Sequence, residues 1–218
     1  MEQSLNKIED LYDSIAKGYA ETFSGEHEKK PIDQEILRRF SQEIGDRRPV
    51  WDLGCGPGHT AKYLKDLGVE ISGLDLSEKI LEQARTLHPE IYFRKGNILE
   101  LDFPNDSIAG VIAFYTIVHF TKEQVEIAFH EVFRVLQCGG IFLLTYHIGE
   151  ETIHLDEFLD KKVDIDFMFF TKEFIVSCLL SIRLGCSSFI CFQRLFVQII
   201  RLRWTPMLGQ VAKVGFCS

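Results

Sequence analysis

The chain has 218 residues, 46% of them hydrophobic and 12% aromatic, with a formal net charge of −8. That is enough apolar material for one substantial core, so a disordered chain is excluded, and one domain with small appendages is expected. The negative balance gives no general attraction for phosphate backbones or anionic lipid, and the first 173 residues hold no basic patch that would supply one locally; no nucleic-acid partner is expected. The six cysteines form no CxxC pair and no metal-like spacing with the seven histidines, so the expectation is reduced thiols, no disulfide framework and no metal. Residues 1 to 10 are polar, without the apolar stretch of a secretory signal; a cytoplasmic address is expected.

In chain order, residues 4 to 21 and 31 to 44 have the spacing of two amphipathic helices, the second opened by Pro31 at an N1-like position. A short buried strand is predicted over Val50 to Leu53, then a helix from Thr60 to Leu67 that Gly68 closes. Val69 to Leu74 reads as the next strand, ending at Asp75, and Ser77 as the N-cap of a helix from Glu78 to about Leu87, beyond which Pro89 forbids continuation. Ile91 to Arg94, Ile108 to Tyr115 and Ile141 to Tyr146 complete five strands. Between the last two lies a helix that opens with the capping-box pattern Thr121-Lys122-Glu123-Gln124 and is expected to end at Gly139-Gly140. Near-continuous apolar strands alternating with helices predict a doubly wound, Rossmann-like α/β fold: a mostly parallel sheet with helices on both faces.

Ligands in such sheets bind at the carboxyl ends of the strands, beside strand one where the order reverses. There the sequence reads Asp52-Leu53-Gly54-Cys55-Gly56-Pro57-Gly58-His59, with glycines that permit positive φ and close backbone approach ahead of a helix N-terminus. A dinucleotide pyrophosphate fits poorly: the spacing is G-x-G-x-G, His59 occupies the third-glycine position, Pro57 removes one amide, and Asp52 would repel phosphate. A ligand with an amine suits that carboxylate. Asp75, 21 residues after Gly54, stands where an acid accepts from both hydroxyls of a ribose, although it could also merely cap the Ser77 turn.

These segments resemble the class I S-adenosylmethionine-dependent methyltransferases, in particular the small-molecule subgroup called type 11. The similarity lies in the Asp52 to Gly58 loop, Gly73-Leu74-Asp75-Leu76-Ser77, the fourth strand, and Glu131 to Gly140, where Cys138 stands in place of the usual proline. It covers roughly residues 8 to 175. The resemblance implies S-adenosylmethionine as cofactor, S-adenosylhomocysteine as product and a small-molecule methyl acceptor. It places the methionine amine on Asp52, the methionyl end along Gly54, Cys55, Gly56 and Gly58, the ribose on Asp75 and the adenine against Leu76. Asn97 stands where the family commonly has an aspartate for the adenine amine, with Ile98 beside it in the cofactor site; an asparagine oxygen still accepts that bond, without charge. Phe114 belongs to the same cofactor wall. Tyr12 and Tyr19 resemble a lid helix that reaches the cofactor carboxylate, and their sevenfold spacing equally allows plain packing.

Displacement at a sulfonium methyl needs orientation and exclusion of water, with a general base only for a protonated acceptor. His119 is the first candidate and Tyr115 the second, both just past the fourth strand; His147 and His154 rank below them. The acids Glu150, Glu151, Asp156, Glu157 and Asp160 read as a solvated face, and Phe167, Phe169 and Phe170 as core or pocket wall. The expected division is a helical lid over 1–45, a cofactor-binding core over 46–181 and an atypical tail over 182–218. All 32 acids precede residue 174, whereas Arg183, Arg194, Arg201, Arg203 and Lys213 follow it. An altered reading frame near Ser181 would account for that tail; its rival is a membrane-surface helix over 174–204, while Arg183 and Arg194 exclude a spanning helix. The other function classes are a catalytically impaired nucleoside-binding protein and a nicotinamide-linked oxidoreductase, the latter disfavoured by Asp52 and Pro57.

Overall fold

The structure, a computed structural model, describes residues 5–23, 25, 30–185 and 194–200, with the last seven and residues 183–185 described in backbone course alone. Helices α1 (Leu5–Thr22) and α2 (Pro31–Ile44) precede β1 (Val50–Leu53), α3 (His59–Asp66), β2 (Ile71–Asp75), α4 (Glu78–Leu87) and β3 (Phe93–Lys95). There follow β4 (Ile108–Phe114), a 3-10 turn over Thr116–His119, α5 (Lys122–Val135) and β5 (Leu136–His147). The chain continues through β6 (Thr152–Phe158), β7 (Lys161–Met168), α6 (Lys172–Gly185) and β8 (Arg194–Ile200). The main sheet has the order β3-β2-β1-β4-β5-β8 with parallel pairing throughout, so the order reverses between β1 and β4.

Side chains alternate cleanly across this sheet. Ile141 and Leu143 of β5 face Leu37, Phe40, Leu64 and Leu81 of α2, α3 and α4. Phe142, Leu144 and Tyr146 face Phe129, Val132, Ile175 and Leu179 of α5 and α6. A strand with both faces covered favours apolar residues at every position, which is why β4 reads as an unbroken hydrophobic run and why the buried Asp52 stands out in β1.

The capping box predicted for α5 is present: the Thr121 hydroxyl accepts from the Gln124 amide at 3.2 Å, and the Gln124 side chain accepts from the Thr121 amide at 2.9 Å. Thr121→Ala is expected to lower stability by about 1 kcal/mol, seen as a lower urea midpoint at unchanged m-value.

Three expectations need correction. The fifth helix stops at Val135, not at Gly139-Gly140, and Leu136 already enters β5, because the Leu136 and Ile108 backbones pair before the ladder shifts register at Gly110. A surface helix over 174–204 does not form: α6 ends at Gly185 and Arg194–Ile200 pairs in parallel with β5, which supplies its backbone with partners. The acids Glu150, Glu151, Asp156, Glu157 and Asp160 are all exposed, as expected, and the segment that carries them forms a hairpin, β6–β7, whose inward residues Ile153, Leu155, Ile165 and Phe167 pack against Leu11 and Ile15 of α1. Cys138 is disulfide-bonded, against the expectation of reduced thiols, while Cys55 and Cys178 are free. Of the tail, residues 186–193 and 201–218 lie outside the described residues, and with them most of the altered-frame expectation.

Candidate cofactor site

The glycine loop is held against β2 by its own backbone: the Gly54 and Cys55 amides donate to the Leu74 carbonyl at 2.7 and 3.1 Å. Gly54 has φ +69°, and a Cβ there would lie 2.2 Å from Cγ2 of Thr116, whose hydroxyl donates to the Leu53 carbonyl at 2.7 Å. Only glycine lets β1 and the turn after β4 approach so closely. The cradle opens at the sheet's reversal, the place the strand order assigns to a ligand.

Two carboxylates sit at its base. Asp52 is 1% exposed, and neither of its oxygens has a hydrogen-bond partner among the described residues. Burial, and then the charge of Asp75, push its pKa up to about 8; the Ala61 amide leans the other way without forming a hydrogen bond to it. Asp75 accepts from the Gly56 amide at 2.8 Å and from the Ser77 amide at 3.0 Å. Burial raises its pKa too, against the lowering by those amides. Both of its oxygens keep a lone pair for a ligand, so the turn-capping and ligand-binding readings of Asp75 are compatible.

Helix α1 roofs the cradle and is tied down on three sides. Glu9 pairs with Lys95 at the end of β3. Asp13 accepts from the Ser77 hydroxyl and, at 3.1 Å, from the Lys79 amide at the start of α4. Lys7 reaches Asp164 of β7 at 2.6 Å. Beneath it lies a cavity of about 150 Å³ whose described lining contains Glu9 and Asp75 but no lysine or arginine.

Of the residues singled out in the sequence, Tyr12, Tyr19, Gly54, Gly56, Asp75 and Leu76 line this cavity. So do Asn97, Ile98, Phe114, Tyr115 and His119. Asp52, Cys55 and Gly58 do not. Asn97 already accepts from the Leu99 amide at 2.9 Å, which leaves its oxygen one lone pair. His147 stacks between Tyr115 and Phe169 in a second layer, and His154 lies on the outer side of the hairpin among Asp156, Asp164 and Asp166. Phe167, Phe169 and Phe170 are core and not cavity wall. Sequence reasoning missed Glu9, Asp13, Thr116 and the whole roofing hairpin. For the hairpin a signal existed: the alternation Ile153, Leu155 and Val163, Ile165, Phe167 around a Leu159-Asp160 turn in which both residues have positive φ.

His119 is 4% exposed with both ring nitrogens engaged, Nδ1 with the Asp166 carbonyl and Nε2 with the Tyr12 hydroxyl, each at 2.9 Å. Burial lowers its pKa to about 4, the Asp166 carbonyl and carboxylate opposing, so the ring is neutral at pH 7. Burial raises the Tyr12 hydroxyl well above its ordinary value, helped by Tyr19 and Asp75. Tyr115, at φ +57°, points its hydroxyl at buried Asp33, 3.4 Å away.

An open parallel sheet whose strand order reverses beside β1, with an acid-lined cradle at that point, defines a protein of Rossmann-like architecture. Residues 50–140 match the family model described as a methyltransferase domain. A Mycolicibacterium smegmatis protein named "Probable S-adenosylmethionine-dependent methyltransferase" is 35% identical over 111 residues, covering 48% of this chain and 42% of that protein. A Bacillus subtilis protein named "Uncharacterized methyltransferase YcgJ" is 35% identical over 116 residues, covering 51% and 45% respectively. Among solved structures, the PH0226 protein of Pyrococcus horikoshii superposes with a TM-score of 0.55 at 25% identity, covering 67% of this chain and 78% of that one. The DhpI–SAH complex superposes with a TM-score of 0.65 over 82% and 86%, at an 18% identity that speaks for the fold alone. The 50–140 span is thus similar to the methyltransferase domains of S-adenosylmethionine-dependent proteins. It spans less than half the length of the two curated relatives, 42% and 45%. Among the described residues no helix is long and apolar enough to cross a membrane.

Proposed function

We propose that the chain is a methyltransferase that binds S-adenosylmethionine and passes its methyl group to a small-molecule acceptor by in-line displacement. The observation that carries this is the charge of the site: a buried Asp52 without a partner under a cavity lined by Asp75 and Glu9, with no described lysine or arginine. Such a site favours a cationic nucleoside and disfavours a diphosphate. When bound, S-adenosylmethionine supplies a sulfonium methyl with a neutral thioether as leaving group.

Asp52 serves the ligand's ammonium, Asp75 its ribose, Leu76 and Ile98 its adenine faces, and the remaining lone pair of Asn97 the exocyclic amine. Gly54, Cys55, Gly56 and Gly58 give the backbone curvature that admits the methionyl end, and Phe114 walls it. Residues 1–45 act as the lid, 46–181 as the cofactor-binding core and 182–218 as the tail. The lid's contribution is orientation and exclusion of water, through Tyr12 and Tyr19 over the cradle. His119 and Tyr115 stand at the acceptor end, and the neutral ring of His119 can accept a proton only against its low basicity.

That low basicity favours a second reading, a nucleoside-binding protein with little catalysis. Calorimetry on the purified chain with S-adenosylmethionine, S-adenosylhomocysteine and NAD, followed by a methyl-transfer assay on a metabolite panel, separates the cases. Binding of the first two with product formation is expected. Binding without any product supports the second reading, and tight binding of NAD alone removes both.

A further inference from the structure

The hydrogen bonds around His119 dictate the polarity of Tyr12. A carbonyl only accepts, so the Asp166 carbonyl at 2.9 Å requires the proton on Nδ1 of His119. The ring is neutral, so Nε2 is bare and can only accept; the Tyr12 hydroxyl, 2.9 Å from it, must donate. Its one proton is thereby committed. What Tyr12 offers the cavity it lines is a lone pair.

A carboxylate also offers only lone pairs, so the two cannot bond to each other. The resemblance drawn from the sequence set Tyr12 against the cofactor carboxylate, and in this chain the polarity of the hydroxyl is wrong for that. An ammonium has three N–H donors and no acceptor, and the acids around the cavity favour its charge. Resting on the proposed cofactor, we propose that the Tyr12 hydroxyl oxygen accepts a hydrogen bond from the ammonium of the cofactor's methionyl part, and that His119 is the positioning residue that holds Tyr12 in this polarity. Three segments distant in the chain build the device: α1 brings Tyr12, the turn after β4 brings His119, and β7 brings the Asp166 carbonyl. His119 is wedged there by Phe167, ring centroids 4.7 Å apart, and Tyr12 by Tyr19 at 5.4 Å.

The test uses three nucleosides on the full chain: S-adenosylhomocysteine, its decarboxylated analogue S-adenosyl-3-thiopropylamine, which keeps the ammonium, and methylthioadenosine, which has neither group. By calorimetry, Tyr12→Phe is expected to weaken the first two alike, roughly tenfold or more for a bond to a charged donor, and to leave methylthioadenosine unchanged. His119→Gln, whose amide can donate to Asp166 and accept from Tyr12, should keep close to parental affinity, whereas His119→Leu should behave as Tyr12→Phe does. In ¹⁵N spectra of the free protein, His119 is expected to show a protonated Nδ1 and a bare Nε2, with the Nε2 resonance moving in Tyr12→Phe. A Tyr12→Phe penalty confined to S-adenosylhomocysteine would assign Tyr12 to the carboxylate and overturn the proposal, as would the absence of any penalty or a proton on Nε2. If the parent chain binds none of the three nucleosides, the cofactor reading itself fails, a result separate from the others.

Discussion

Asp52→Asn is expected to make the ligand-free protein more stable at pH 8 while weakening S-adenosylhomocysteine binding about a hundredfold or more. The opposite signs come from one fact: Asp52 is buried without a partner, and its pKa lies near 8 instead of the 3.8 of an ordinary aspartate. A raised acid pKa destabilises the folded state wherever the unfolded chain is ionised. Below pH 4 the group holds its proton in both states and costs nothing; the cost grows as pH rises from about 4 to 8 and is constant above. At pH 7 it amounts to about 4 kcal/mol at most. Asparagine removes that cost but buries an amide worth about 1–3 kcal/mol if unsatisfied, so the net gain is a melting temperature several degrees higher at pH 8, shrinking to nothing or reversing at pH 4.

Under the proposed function, a cationic ligand would act as the missing partner. In the parent, binding at pH 7 should therefore release most of a proton, visible as a dependence of the calorimetric enthalpy on the buffer's ionisation heat, and affinity should climb from pH 6 to 8. Asp52→Asn should abolish both. A variant that binds like the parent, or that is the less stable of the two at pH 8, would take Asp52 out of the site.

Gly54→Ala should be the more damaging change to the fold. The residue has φ +69°, and its new Cβ would meet Cγ2 of Thr116 at 2.2 Å and Oγ1 at 2.9 Å. Thr116 cannot turn aside without breaking its bond to the Leu53 carbonyl, and Gly54 cannot shift without losing the Leu74 carbonyl. Strain and clash together are expected to cost about 3 kcal/mol or more, a fall in melting temperature of roughly 6–12 °C for a chain of this size, with nucleoside binding lost. Gly68→Ala isolates the backbone contribution: φ is +90° and nothing lies within 4 Å, so it should cost only about 1–2 kcal/mol and leave binding intact. Equal effects at the two positions would mean that the close approach at Gly54 is not what matters.

The parts of this molecule legible in its sequence are those whose causes are local. The alternation of strands and helices from Val50 onward, the Ser77 cap and the Thr121 capping box each depend on residues within a few positions of one another, and each formed. The end of α5 was misplaced because Gly139-Gly140 is a strong local stop, while the pairing of Leu136 with Ile108 is not local at all. The roofing hairpin was overlooked because its charged residues, His154, Asp156, Asp164 and Asp166, dominate the polarity of the segment. Its apolar face acquires meaning only with α1 lying against it.

The sequence by itself determined the parallel sheet, the position of the glycine bend at its reversal, and the acids Asp52 and Asp75 beside that bend, since residue type and short-range spacing suffice for these. Tertiary structure alone decided that Asp52 has no partner and that α1 is tied to β3, α4 and β7. It also decided that Tyr12, His119 and Asp166 form one directed chain of hydrogen bonds. Burial and hydrogen-bond direction are properties of neighbours, and these neighbours are 107 and 47 residues apart along the chain.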